Sequence, residues 1–229
     1  MKHLKRHINI AINKEYIEIQ KYAFRKYKIK TVENKHTHLV PEELEQLERL
    51  SLTGKYMKLQ KSLDAFLFCC YAGMRYSDFT NLSKKNIVDI NQETWLIYKS
   101  VKTGTEVRLP LYLLFAGKGI VILNKYRNNL EVFFRLRDNS NINKDLIIIA
   151  KLAGLSKKIS FHTARHTNAT LLIYNGVNIT TVQKLLGHKS VKTTQVYTNI
   201  MDMTIVHDLE KMKQATLGIK KKTDNSFNK

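Results

Sequence analysis

The run His162-Thr-Ala-Arg165-His166 carries three side chains able to meet an anion or move a proton. On a helix, positions i, i+3 and i+4 share a face, so His162, Arg165 and His166 project together. Paired histidines at this spacing can ligate zinc, but zinc hydrolases place a glutamate directly after the first histidine, and Thr163 stands there. An arginine between the rings would also repel a dication, so no metal is expected. Two readings remain open: an anion site in which Arg165 and a histidine hold a phosphate, or a core-edge histidine beside a surface arginine. Gly73-Met74-Arg75-Tyr76-Ser77-Asp78 places an arginine after a helix stop with a carboxylate three residues on. That guanidinium should be held rather than free, though a buried structural Arg–Asp pair reads the same way. Lys102-Thr103-Gly104 falls at a hairpin turn, where a lysine is equally well a solvated charge. Leu185-Leu186-Gly187-His188 opens a loop after a helix, and Tyr197, one of 11 tyrosines, follows soon after. Ala116-Gly117-Lys118-Gly119 lacks the spacing of a phosphate loop and is set aside.

These side chains are scattered over more than half of the chain, so several elements must bring them together. Ile8, Ile12, Tyr16 and Ile19 recur at helical spacing, which predicts one amphipathic helix followed by a basic, extended stretch. Residues 31–38 read as a connector. Pro41, with Glu42 and Glu43 behind it, opens a helix bearing Leu44, Leu47 and Leu50. A longer helix follows, with Tyr56, Leu59, Leu63, Phe66, Leu67 and Cys70 on one face and Gly73 as its stop. Over residues 86–111 the period changes to that of three short antiparallel strands, turned at Asn91-Gln92 and Thr103-Gly104. Helices are then expected near 117–129, 141–153, 162–174, 179–187 and 191–198, and a last one at about 202–214. The tail 215–229 reads as basic and disordered. The expected fold is mainly α, with one small three-stranded antiparallel sheet.

The chain has 229 residues, 43% of them hydrophobic and only two of them proline, which supports a packed core and excludes wholesale disorder. Lys and Arg total 39 against 19 Asp and Glu, a net charge of +20, and such an excess points to a polyanionic partner such as nucleic acid. No apolar run is long enough for a membrane span, and the N-terminal residues, which lack an uninterrupted apolar core, are not expected to act as a signal peptide. Cys69 and Cys70, the only cysteines, are sequence neighbours in an apolar stretch and read as reduced core residues of a cytoplasmic protein.

Taken in order, Arg75, Lys102, His162-x-x-Arg165-His166, Leu186-Gly187-His188 and Tyr197 resemble the tyrosine recombinase (phage integrase) family. Its catalytic domain shows an arginine after a G-[LM] step, a hairpin lysine in K-T-G, H-x-x-R-H on a helix, L-G-H and a terminal tyrosine. The resemblance covers about residues 35–214; Thr163–Leu172 and Leu186–Thr198 look like family sequence throughout. It implies that Tyr197 is the nucleophile and that Arg75 and Arg165 clamp the scissile phosphate. His162 and His188 would bond its oxygens or move protons, and Lys102 would protonate the departing 5′-oxygen. Asp78 and His166 match supporting positions of the family.

The implied activity is site-specific cutting and rejoining of double-stranded DNA through a 3′-phosphotyrosyl intermediate, without metal or cofactor. A phosphotyrosine conserves the phosphodiester energy, and two guanidinium forks can meet the charge of a pentavalent transition state. Residues 1–34 resemble only the last helix of the family's core-binding domain and its linker, so a fragment or truncated element is expected. The segment 202–214 resembles the helix that links family protomers into a homotetramer on DNA. The competing expectation is a DNA-binding relic without catalysis, which should have lost one or more of the six residues. A type IB topoisomerase, which shares the mechanism, is a third.

Overall fold

A computed structural model describes residues 2–25, 27, 36–198 and 213. The chain divides into two compact units, Met1–Lys35 and His36–Lys229. In the first, α1 spans Lys2–Asn13 and is followed by a 3-10 turn, Ile19–Lys21. The single helix expected to carry Tyr16 and Ile19 is therefore shorter than its periodicity suggests. Glu15 adopts a left-handed φ of 59°, and Tyr16 N–H reaches back to the Ala11 carbonyl at 2.9 Å, a Schellman-type closure that ends the helix. Tyr16 and Ile19 are left exposed.

The second unit opens with α2 (Pro41–Glu48), whose first turn is closed by the Glu43 carboxylate accepting from Val40 N–H at 2.9 Å. A 3-10 turn, Gly54–Leu59, leads into α3 (Gln60–Ala72), so the long helix expected from Tyr56 onward starts later. Residues 62–72 of α3 are all buried, because the later helices Lys118–Lys125, Asn139–Leu152 and Phe161–Tyr174 pack around it rather than against a single face. Gly73 ends it with φ +65°, as expected of that glycine. The short α4 (Tyr76–Thr80) follows directly.

The sheet has the order β1-β2-β3, all antiparallel: β1 (Ile87–Ile90), β2 (Glu93–Lys99) and β3 (Glu106–Pro110). Asn91 and Gln92, both with positive φ, make the first turn, and the second carries Lys102. The helix expected at 117–129 is found as α5 (Lys118–Lys125), which ends four residues early, and a short helix that was not expected, α6 (Leu130–Phe134), follows. Tyr126 stacks on Phe133 at 4.2 Å between centroids and gives its hydroxyl to Asp64, which folds the chain back on itself. Lys118, from the rejected phosphate-loop look-alike, is paired with Glu48.

Next come α7 (Asn139–Leu152), capped by Asp138 accepting from Asn141 N–H, then α8 (Phe161–Tyr174) and α9 (Ile179–Leu186), capped by Asn178. The helix expected over 191–198 shrinks to α10 (Lys192–Gln195). Apart from Lys213, the expected helix at 202–214 lies outside the described residues, as does the tail 215–229. Cys69 and Cys70 are buried and unbridged. Among the described residues no helix is long and apolar enough to cross a membrane.

Candidate active site

Arg165 is the hub around which the site is assembled. It lies on α8, is 1% exposed, and gives hydrogen bonds to two backbone carbonyls, Gly73 O at 2.7 Å and Leu186 O at 2.5 Å. Both carbonyls belong to the C-terminal ends of helices, α3 and α9, where the helix dipole favours a cation. The glycines of the two motifs make this approach possible. A Cβ on Gly73 would come within 2.6 Å of Asn168 Oδ1, and one on Gly187 (φ +61°) within 2.6 Å of Val107 Cγ2. Gly-Met-Arg and Leu-Gly-His are thus the two helix ends that Arg165 ties together.

Arg75 sits between α3 and α4, with its side chain 13% exposed. Its Nη1 gives hydrogen bonds to Ser100 Oγ (3.2 Å) and Asp78 Oδ2 (3.4 Å). The Asp78 carboxylate is wholly buried and also accepts from Val101 N–H at 2.8 Å, at the foot of the turn that presents Lys102. One carboxylate therefore positions both the guanidinium and the lysine-bearing turn. Ser100 lay outside the sequence reading, since nothing in its spacing connects it to Arg75.

His162 and His166 project from the same face of α8, their rings edge to face at 4.5 Å. Tyr197, just after α10, is 4% exposed, and its hydroxyl lies 3.0 Å from His166 Nδ1. His166 is thus in direct contact with the phenol. His188 bonds through Nδ1 to Thr194 Oγ1 at 2.9 Å, which links the loop after α9 to the helix preceding Tyr197. His36 stacks on His166 at 4.4 Å. Thr194 lies in the family-like stretch before Tyr197, but His36 carries no local motif that would single it out.

Arg75, Lys102, His162, Arg165, His166, His188 and Tyr197 all line one pocket of about 210 Å³, as does His36, and Asp78 is bonded to Arg75. Crowding of cations shapes its protonation. Burial, then Arg165 and Arg75, lowers His188 to about 3, and partial burial with the same two arginines lowers His162 to about 4. Burial, then His162, His36, Arg165 and His38, lowers His166 to about 3. All three rings are neutral at neutral pH. Burial raises the Tyr197 hydroxyl, against the pull of Arg165 and Arg75. Arg165 itself is lowered to about 10, chiefly by burial and next by Arg75. Among the described residues no group of His, Cys, Asp and Glu is gathered as a metal site. Two guanidiniums and an ammonium around neutral rings and a phenol make a pocket for an oxyanion placed next to a nucleophile.

A helical domain with a small sheet and such a pocket defines a class, and comparison places the chain within it. Residues 37–203 match the phage integrase family, and the chain belongs to that family. It is 32% identical over 174 residues to a tyrosine recombinase of Thermosipho africanus, covering 71% of this chain and 59% of that one. It is 28% identical over 192 residues to the tyrosine recombinase XerC of Rickettsia prowazekii, covering 80% of this chain and 60% of the relative. The chain thus spans about three-fifths of the length of these relatives. The fold resembles a crystal structure of XerA recombinase (TM-score 0.59, 23% identity, 92% of this chain and 82% of that one). It also resembles a lambda integrase tetramer bound to a Holliday junction (TM-score 0.66, 19% identity, 85% of this chain and 56% of that one).

Proposed function

We propose that this chain cuts and rejoins duplex DNA at specific sites by transesterification, with Tyr197 as nucleophile. The observation that carries the reading is the phenol held by a neutral imidazole in the pocket that two guanidiniums line. Tyr197 Oη attacks the phosphorus, the bond to the 5′-oxygen breaks, and a 3′-phosphotyrosine remains. With its ring proton on Nε2, His166 accepts the phenol proton at Nδ1. Lys102 gives a proton to the departing 5′-oxygen. Arg75 and Arg165, with His162 and His188, hold the non-bridging oxygens, where charge accumulates. Positive charge comes from side chains, so activity is expected to persist in EDTA. Asp78 acts through Arg75 and the Lys102 turn.

The relatives' names, and the DNA-bound state of the lambda integrase structure, support duplex DNA as the substrate. The net charge of +20 supplies the attraction to its backbone. In this reading residues 1–34 are the end of a preceding DNA-gripping domain, residues 202–214 join protomers into a homotetramer on DNA, and the protein works in the cytoplasm. The test is a pool of duplexes, randomised around a nick that makes cleavage irreversible, scored for SDS-resistant protein–DNA adducts. The wild type should form them, with or without EDTA, and Tyr197→Phe should not. Adducts formed by the Phe variant would refute the nucleophile, and DNA binding without any adduct would favour a relic.

A further inference from the structure

The segment ahead of α2 packs on the middle of α8 as a short strap. Leu39 is wholly buried, and its N–H donates to Thr167 Oγ1 at 2.9 Å, next to His166. Lys157 ties the same strap to the start of α2, through His38 O at 3.3 Å and the Glu43 carboxylate at 2.6 Å. Anchored in this way, His36 lays its ring on His166, with centroids 4.4 Å apart and planes 27° apart, while the Tyr197 ring lies 6.5 Å from it. His162 meets the same His166 ring edge-on. The imidazole facing the phenol is thus wedged between two others, one from its own helix and one from a segment more than 120 residues away.

We infer that His36 is a positioning residue: its ring is the platform that aims His166 Nδ1 at Tyr197 Oη and shields that imidazole from water. The inference rests on the proposed transesterification for its kinetic consequence, though not for its structural one. An imidazole free to rotate about χ2 would present Nδ1 to the phenol for only part of the time, and small misplacements of a proton acceptor are costly in rate. The charged and titratable groups facing His166 are His162 and Arg165 on α8, His36 and His38 on the strap, and Tyr197. Removing the His36 ring admits water to His166, whose burial is the main cause of its low proton affinity, so that affinity rises.

Two variants separate stacking from chemistry: His36→Ala removes the platform, and His36→Phe keeps a flat ring without a titratable nitrogen. With ¹⁵N-histidine labelling, the His166 signals of the wild type and of H36F should stay those of one neutral tautomer down to low pH. Those of H36A should titrate at higher pH with mixed tautomers. In single-turnover adduct formation, H36A should fall by about tenfold or more, with its acidic limb moved to higher pH and DNA affinity kept, and H36F should recover most of the loss. Wild-type behaviour of H36A in the His166 titration would overturn the inference, as would H36F behaving like H36A. If the wild type forms no adduct, the transesterification reading fails, while the histidine spectra still decide whether His36 positions His166.

Discussion

Replacing Arg165 by lysine should damage folding and chemistry together, whereas the same change at Arg75 should damage chemistry almost alone. Arg165 uses two terminal nitrogens for Gly73 O and Leu186 O, at 2.7 and 2.5 Å, in a place 1% exposed. Lysine brings one nitrogen where two are used, leaving a buried carbonyl short of a partner at a cost of about 1–3 kcal/mol. The helix ends of α3 and α9 would then be joined less firmly. Arg75 makes only the longer contacts of 3.2 and 3.4 Å, which an ammonium can replace in part, so R75K should cost no more than about 1 kcal/mol. In the proposed reaction each change also removes a forked donor for the developing charge, worth about 3–4 kcal/mol in the barrier, or a 10²–10³-fold loss of rate. Urea unfolding of both variants, paired with single-turnover adduct formation on a nicked duplex, reads the two quantities separately. Equal unfolding midpoints for R165K and R75K would refute the clamp that Arg165 forms between helix ends. Adduct formation by R165K within tenfold of wild type would refute its place on the phosphate.

Acidification should destabilise the fold well above the range where carboxylates titrate. His166 and His188 are buried with values near 3, so below about pH 6.5 the unfolded chain binds protons that the folded one refuses, and stability falls with pH. Between pH 7.5 and 5 the loss is about 2 kcal/mol per ring, to be checked by urea midpoints in chloride buffers. A midpoint that held or rose at pH 5 would contradict the neutral rings. Gly187→Ala should cost about 2 kcal/mol or more, combining left-handed strain with the 2.6 Å approach to Val107. Trimming the partner in G187A/V107A should lose less than the sum of the single changes; strict additivity would show that the contact is not the cause.

The local ingredients of the site were legible in the sequence because they are matters of short spacing. The i, i+3, i+4 set on α8 had to share a face, Gly73 and Gly187 had to end helices, and Lys102 had to ride a hairpin turn. Strand periodicity located all three strands within residues 86–111 and the turns between them. Periodicity misjudged α1, the start of α3 and the segment after α5, where a left-handed residue, a 3-10 turn and a Tyr126–Phe133 stack override an apolar pattern that would suit a longer helix.

Which partner each functional side chain takes was decided only in three dimensions. Arg165 bonds across 92 and 21 residues, the Asp78 carboxylate braces an N–H 23 residues on, and His166 meets a phenol 31 residues later. His36 in particular carries no pattern of its own. Its place on His166 follows from a buried leucine and a hydrogen bond to Thr167 that dock the strap on α8. Spacing along a chain constrains neighbours within a turn or a hairpin, whereas contacts between distant segments depend on how the whole core closes.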